Sequence, residues 1–175
     1  MRNSFIRFGI PAAAVLIGAA VVAWAEMPKV GMWEVTAVMT WQKSPLPDNA
    51  PPAAVAAMNG KTQTYNACLT QEQLDKYGTL VTEPEDKTKS CQITNVIKSA
   101  NGMTADLACH GAMEGKGEVV ATWSDSTHAH IKTHFLGTLA MGKPKPIEWT
   151  VEGSGVYKDP VCKNTRDFDP NAQPQ

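Results

Sequence analysis

The sequence predicts an all-β, mainly antiparallel domain with two short helices. We expect a curved meander or a lipocalin-like barrel, with a two-sheet β-sandwich as the alternative. Residues 31–43 alternate apolar and polar side chains, the pattern of a half-buried strand. Residues 91–109 carry turn-forming residues at their centre, the pattern of a hairpin. Short links join most predicted strands, and such links require antiparallel neighbours.

Seven strands follow from this pattern, and they occupy residues 31–43, 61–68, the two halves of 91–109, 116–124, 127–136 and 147–157. A short helix is expected over 53–58, started by prolines and stopped by Asn59-Gly60. A second is expected over 71–78, where Thr70 is the N-cap, Gln73 completes a capping box and Gly78 ends the helix. A long, twisted sheet of this kind tends to curl or close on itself.

The first 25 residues have the order of a secretory signal peptide. Arg2 and Arg7 precede the apolar run of residues 10–22, and Ala23-Trp24-Ala25 supplies small residues for cleavage before Glu26. The apolar run is shorter than the roughly 20 residues of a membrane-spanning helix. We therefore expect a periplasmic or secreted protein with one domain over 26–165, a disordered tail over 166–175 and no transmembrane segment after cleavage.

The four cysteines are expected to form two disulfide bonds. An even number of cysteines in an exported chain favours disulfides, and no C-x-x-C spacing suggests zinc or redox chemistry. Three connectivities are possible for four cysteines. A hairpin over 91–109 sets Cys91 nearly opposite Cys109, with Ile93 and Ile97 on the same face. This geometry favours Cys91–Cys109 and leaves Cys68–Cys162.

The chain also resembles an exported bacterial family, the domain-of-unknown-function family numbered 3617. The resemblance rests on GMWEVT at 31–36, CLT at 68–70, two central cysteines around a turn, and GSGVY at 153–157 before Cys162. It covers roughly residues 29–165. It implies an exported location and a four-cysteine scaffold, and it supplies no catalytic residues.

Three histidines suggest a metal site as an alternative function. His128, His130 and His134 have the same parity within one strand, so their side chains leave the same face. An H-x-H pair can place two imidazoles on one ion, so His128 and His130 are the candidate ligands. His134 lies about 13 Å further along the strand. The simpler interpretation is a polar outer face.

The other candidate site consists of aromatic side chains that are predicted to lie on the apolar face of their strands. A ring-lined concave surface could bind an apolar molecule, as the mouths of barrels often do. The simpler interpretation is a core. The candidate residues are Trp33, Trp41, Trp123, Trp149 and Tyr157.

Catalysis has little support in the sequence. Ser154 lacks the G-x-S-x-G frame, and the acidic residues have no visible partner that would tune them for acid–base work. With a net charge of −1, the chain has no basic excess for binding nucleic acid. We therefore expect a non-enzymatic envelope protein without a cofactor, whose partner is a small apolar ligand or another envelope protein.

Overall fold

A computed structural model describes residues 26–80, 90–140 and 143–163. The predicted signal peptide over 1–25 and the predicted tail over 166–175 lie outside these residues. Within them, no helix has the length and apolar character needed to cross a bilayer.

The described chain is mostly β-strand with two short helices, as the sequence predicts. The strands are β1 (Gly31–Lys43), β2 (Lys61–Leu69), β3 (Ser90–Ser99), β4 (Gly102–His110), β5 (Met113–Asp125), β6 (His128–Leu139) and β7 (Lys145–Asp159). The helices are α1 (Pro52–Met58) and α2 (Gln71–Tyr77).

All seven strands form one antiparallel sheet in the order β2-β1-β7-β6-β5-β4-β3. Strands β3 to β7 form a meander, and β1 then adds to β7 and carries β2 on its far side. The predicted antiparallel meander is confirmed, but the sheet does not close into a barrel. Helix α2 stands between the two edges: it follows β2 directly, and Lys98 of β3 donates to the carbonyl oxygen of Asp75 within it.

One face of the sheet, here called the inner face, carries the core. It bears the odd-numbered residues of β1, such as Trp33, Val35 and Ala37, and the opposite, outer face bears the even-numbered ones. Two clusters of buried side chains lie on the inner face. One contains Met103, Ala105, Leu107, Cys109, Val119, Ala121, Phe135 and Ile147 with Tyr77 of α2, and the other contains Trp33, Val35, Ala67 and Leu69 with Leu74 of α2.

Helix α2 begins and ends where the sequence predicts. The Thr70 hydroxyl accepts from the Gln73 amide at 3.1 Å, and the Gln73 side chain accepts from the Thr70 amide at 3.0 Å, which completes the capping box. Gly78 ends the helix in the left-handed region, with φ +78°. The helix therefore holds Leu74 and Tyr77 against the two core clusters.

Both predicted disulfides are present. Cys91 and Cys109 face each other directly in the β3–β4 register, with Cα atoms 3.9 Å apart. Cys68 near the end of β2 bonds to Cys162 beyond the end of β7, with Cα atoms 5.5 Å apart. Because β1 lies between β2 and β7, the second bond ties three neighbouring strands together at one end of the sheet.

The prediction for Ile97 is wrong, because β3 contains a bulge. Thr94 pairs with Asp106, but the next paired residue is Ile97, opposite Thr104, so β3 uses one residue more than β4. Asn95 takes φ +52° at this point. The extra residue reverses the parity of the strand, so that Ile97 is 69% exposed on the outer face while Val96 packs towards the core.

Candidate functional site

Trp33 lies in the core near the start of β1. Its side chain is 0% exposed, and its Nε1 donates to the Lys29 carbonyl oxygen at 2.9 Å. Its ring meets Tyr157 edge to face, with centroids 5.9 Å apart and an interplanar angle of 78°. Trp33 therefore helps to close this end of the fold and leaves no ring face open to a ligand.

Trp123 of β5 is also buried, at 4% exposure. It lies beside the C-terminus of α2, since a Cβ added to Gly78 would stand 3.5 Å from its Cη2. Its Nε1 has no hydrogen-bond partner within the described part of the chain. Like Trp33, Trp123 belongs to the interior near α2.

Trp41 and Trp149 form a separate pair at the other end of the strands. They face each other directly across β1 and β7, both on the inner face and both half-buried. Trp41 is eight residues beyond Trp33, a distance of about 26 Å along an extended strand. The structure therefore divides the five predicted aromatic residues into two distant groups.

Phe135 of β6 continues the aromatic row on the inner face. It pairs with Trp149 in the strand register, and the two rings stack with centroids 5.2 Å apart at 18°. Phe135 is 0% exposed and its ring covers Gly137, where an added Cβ would stand 2.7 Å from its Cε1. The glycine therefore leaves room for the ring to lie flat, and the flat ring supports Trp149.

Five other half-buried apolar side chains pack against the same core cluster as Trp41 and Trp149: Ile93, Val96, Met113, Ile131 and Leu139. The pair and these five residues are here called the Trp41–Trp149 surface, and the described residues cover their side chains only in part.

The segment between β1 and β2 lies next to this surface. Asn59 Oδ1 accepts from the Trp41 amide at 2.6 Å, and Lys145 at the start of β7 forms a 2.9 Å ion pair with Asp48. The hydrogen bond and charge of Lys145 lower the pKa of the Asp48 carboxyl. Helix α1 lies within this segment, but none of its side chains is buried.

The predicted histidine cluster lies on the outer face. His128, His130 and His134 are all exposed. His128 Nδ1 lies 3.0 Å from Asp125 Oδ2, and His134 Nε2 lies 3.3 Å from Glu148 Oε1. In residues 26–80, 90–140 and 143–163, no three histidine, cysteine or acidic side chains are grouped so as to hold a metal ion. The two-histidine metal site stays a prediction.

The acidic residues near these histidines have partners that suit a structural role. The Thr127 hydroxyl, followed by its amide and His128, holds the pKa of Asp125 well below its usual value. In His128 a single ring nitrogen, Nδ1, lies 3.0 Å from Asp125 Oδ2 and 3.0 Å from the Thr127 hydroxyl. A catalytic triad needs one imidazole nitrogen on the nucleophile and the other on the carboxylate. The cluster instead fits a capped β5–β6 turn.

The outer face also carries a shallow polar groove that the sequence analysis missed. It has a volume of about 230 Å³ and is lined by Val38, Thr40, Gln42, Lys132, Thr150 and Glu152. Lys132 pairs with Glu152 at 2.6 Å and lowers the pKa of that carboxyl, while Gln42 Nε2 donates to Thr150 Oγ1 at 3.1 Å. All six residues have even numbers within their strands, and this shared parity could have indicated from the sequence that they lie on one face. These groups are already paired with each other, so the groove is a weaker candidate than the apolar surface.

No curated protein and no solved structure matches the chain. A family model described as "Protein of unknown function (DUF3617)" matches residues 28–162. This stretch runs from the segment before β1 to the second cysteine of the Cys68–Cys162 bond, so it includes the whole sheet, both helices and all four cysteines. The match confirms the resemblance seen in the sequence, and the chain belongs to the DUF3617 family.

Proposed function

We propose that the protein is a non-enzymatic binding protein of the cell envelope that holds a small apolar ligand on the Trp41–Trp149 surface. The observation that carries this proposal is the direct pairing of two half-buried tryptophans on the inner face of an unclosed sheet. Indole rings offer large, rigid areas for apolar contact at a small entropic cost. A flat apolar molecule or an acyl chain is the kind of ligand that such a surface suits.

The contrast between the two ends of the inner face supports the choice of site. At the α2 end, Leu74 and Tyr77 are buried over the sheet and Trp33 is fully enclosed. At the opposite end, α1 contributes no buried side chain, although Trp41 and Trp149 lie there. Covering more of these rings would remove apolar area from water at about 25 cal/mol per Å². A ligand can supply that cover.

The proposal of a non-enzymatic role is supported by how the titratable groups are used. Glu148 is held by Lys43 at 2.9 Å and by His134, and both contacts lower its pKa. Such a carboxylate stays ionised and paired, which is the opposite of a general acid. These groups lie on the outer face, away from the apolar surface.

Export to an oxidising compartment is the second part of the proposal. The signal-like order of residues 1–25 and the two disulfides of the structure both support it. We expect protein recovered from the periplasm of a bacterial host to begin at Glu26. Intact-mass spectrometry measures this directly, and a protein that keeps residues 1–25 in the membrane fraction would contradict it.

Ligand binding can be tested with 1-anilinonaphthalene-8-sulfonate as probe and dodecanoate as competitor. We expect dye fluorescence to rise on binding and to fall when dodecanoate displaces the dye. Trp149→Ala should weaken dye binding about tenfold, because it removes one of the paired rings. Leu136→Ala is the matched control, since Leu136 is a 52% exposed apolar residue on the outer face of the neighbouring strand.

Two outcomes would overturn the ligand proposal. One is the absence of any dye binding to the wild-type protein. The other is equal binding by Trp149→Ala and the wild type, with both shown to be folded by circular dichroism. Weaker binding to Leu136→Ala alone would place the dye on the outer face and would also overturn the proposal.

A further inference from the structure

A lysine borders the Trp41–Trp149 surface. Lys145 begins β7 and has the same odd parity as the core residue Ile147, so its side chain leaves the inner face of the sheet. Its register partner on β6 is Leu139, which belongs to the surface, and the pairing of β6 with β7 is regular at this point. Directly opposed residues of an antiparallel pair are neighbours on one face, so the Lys145 stem lies beside Leu139.

The ammonium group of Lys145 is paired with a carboxylate that is almost completely solvated. Lys145 Nζ lies 2.9 Å from Asp48 Oδ1, in the segment between β1 and β2. The Lys145 side chain is 28% exposed, whereas the Asp48 side chain is 98% exposed. An ion pair with so exposed a group contributes little to stability, because water solvates the separated carboxylate well. A carboxylate from a bound ligand can therefore take the place of Asp48.

A second positive charge acts at the same place. The hydrogen bond and charge of Lys145 lower the pKa of the Asp48 carboxyl, and the charge of Lys143 also lowers it. Lys143 is exposed and lies two residues before Lys145. Among the described residues, two ammonium groups therefore act on a single carboxylate, and such an arrangement favours a further anion.

We infer that the Trp41–Trp149 surface binds an anionic amphiphile, a long-chain carboxylate, whose head group replaces Asp48 at Lys145 while its chain covers the apolar side chains. This inference rests on the proposed function and names the class of its ligand. From Lys145 the inner face continues past Leu139 to the stacked rings of Phe135 and Trp149. Lys145 and Trp149 are four residues apart, about 13 Å along the strand, and a dodecanoate chain can span that distance.

Neutral and cationic amphiphiles are less suitable for this arrangement. A neutral head group would leave the pair of Lys145 and Asp48 in place and would gain no charge-assisted contact. A cationic head group would lie beside Lys143 and Lys145, and it would find Asp48 already paired. The charge of the head group should therefore decide between ligands that share the same chain.

Competition against a neutral dye separates the contribution of the head group from that of the chain. N-phenyl-1-naphthylamine is the fluorescent probe, and dodecanoate, dodecanol and dodecyltrimethylammonium are the competitors at neutral pH. We expect dodecanoate to displace the dye at a lower concentration than dodecyltrimethylammonium. Lys145→Met should weaken dodecanoate binding about fivefold and leave dodecanol binding unchanged, because methionine keeps an unbranched apolar side chain without the charge.

Two further variants make the test specific. Asp48→Asn should strengthen dodecanoate binding, because it removes the carboxylate with which the ligand competes. Lys43→Met is the matched control. It makes the same change of net charge, but Lys43 pairs with Glu148 of the outer face at 2.9 Å, so dodecanoate binding should stay as in the wild type. Circular dichroism shows whether each variant is folded.

The outcomes distinguish this inference from the proposed function. A wild-type protein that binds neither the dye nor any of the three chains would overturn both. Dye binding with tighter binding of dodecyltrimethylammonium than of dodecanoate would overturn the inference alone. So would unchanged dodecanoate binding in Lys145→Met or in Asp48→Asn, an equal loss for dodecanol in Lys145→Met, or the same loss of dodecanoate binding in Lys43→Met.

Discussion

The two disulfides should stabilise the fold by different amounts, because they close loops of different lengths. Cys91–Cys109 joins residues 18 apart and Cys68–Cys162 joins residues 94 apart. In the chain-entropy treatment, the shorter loop contributes about 3.2 kcal/mol and the longer one about 4.7 kcal/mol to the free energy of unfolding near room temperature. The expected difference is about 1.5 kcal/mol in favour of Cys68–Cys162.

Two variants that each keep one bond allow a clean measurement. Cys91→Ala/Cys109→Ala keeps the long loop, and Cys68→Ala/Cys162→Ala keeps the short one. Each variant is unfolded in urea in its oxidised and its reduced form, with tryptophan fluorescence as the signal. Comparing the two forms of one variant cancels the packing of Cys109, which is 0% exposed and would otherwise add to the cost of removing its bond.

Reduction should lower the free energy of unfolding by about 4.7 kcal/mol in the variant with the long loop and about 3.2 kcal/mol in the other. A variant without any of the four cysteines should not respond to the reductant, which controls for its direct effects. The reasoning is refuted if reduction costs the same in both variants, or costs more where only Cys91–Cys109 remains.

Three smaller perturbations test other contacts of the fold. Trp33→Phe should lower the free energy of unfolding by about 2 kcal/mol in urea titrations, because it removes the hydrogen bond to the Lys29 carbonyl and part of a buried ring. Thr70→Ala should cost about 1 kcal/mol in the same assay by removing the N-cap of α2. The pKa of Asp125 is lowered chiefly by the Thr127 hydroxyl, so its stabilising contribution is present above the usual value of 3.8 and is lost as the pH falls through the folded-state pKa. Asp125→Asn should therefore lose less stability than the wild type between about pH 5 and about pH 2, and an equal loss would contradict this assignment.

The features that the sequence predicts correctly depend on neighbours in the chain. Alternation in β1 places Trp33, Val35 and Ala37 inward because successive strand residues point to opposite faces. The Cys91–Cys109 register follows from a hairpin, and the capping box of α2 involves residues three apart. In each case the decisive contact lies within about twenty residues.

The features that escape prediction depend on a single inserted residue or on distant packing. Nothing in the alternation of residues 91–99 requires the bulge, although an asparagine, which tolerates a positive φ, stands at the position where it occurs. Alternation along the strands leaves open whether the sheet closes, because it carries no information on packing between distant elements, such as Leu74 and Tyr77 of α2 against side chains from several strands.

The prediction of the aromatic site was limited in the same way, because it used only the alternation of residues within each strand. Parity assigns all four strand tryptophans to one face, and the structure agrees that they share it. Parity carries no information about position along the strand, so it could not separate Trp33 and Trp123 near α2 from Trp41 and Trp149 at the opposite end.

The two helices explain why chemically identical residues have different roles at the two ends. Helix α2 is capped at both termini and buries two side chains, Leu74 in the cluster of Trp33 and Tyr77 in the other core cluster. Helix α1 has no side-chain cap, no charged residue and no fully buried side chain, although Ala54, Val55 and Met58 are half-buried. The sheet presents aromatic rings at both ends, but only at the α2 end does a helix bury side chains of its own. The α2 end is therefore a fully buried core. At the opposite end, Trp41 and Trp149 stay half-buried among the residues that the structure describes.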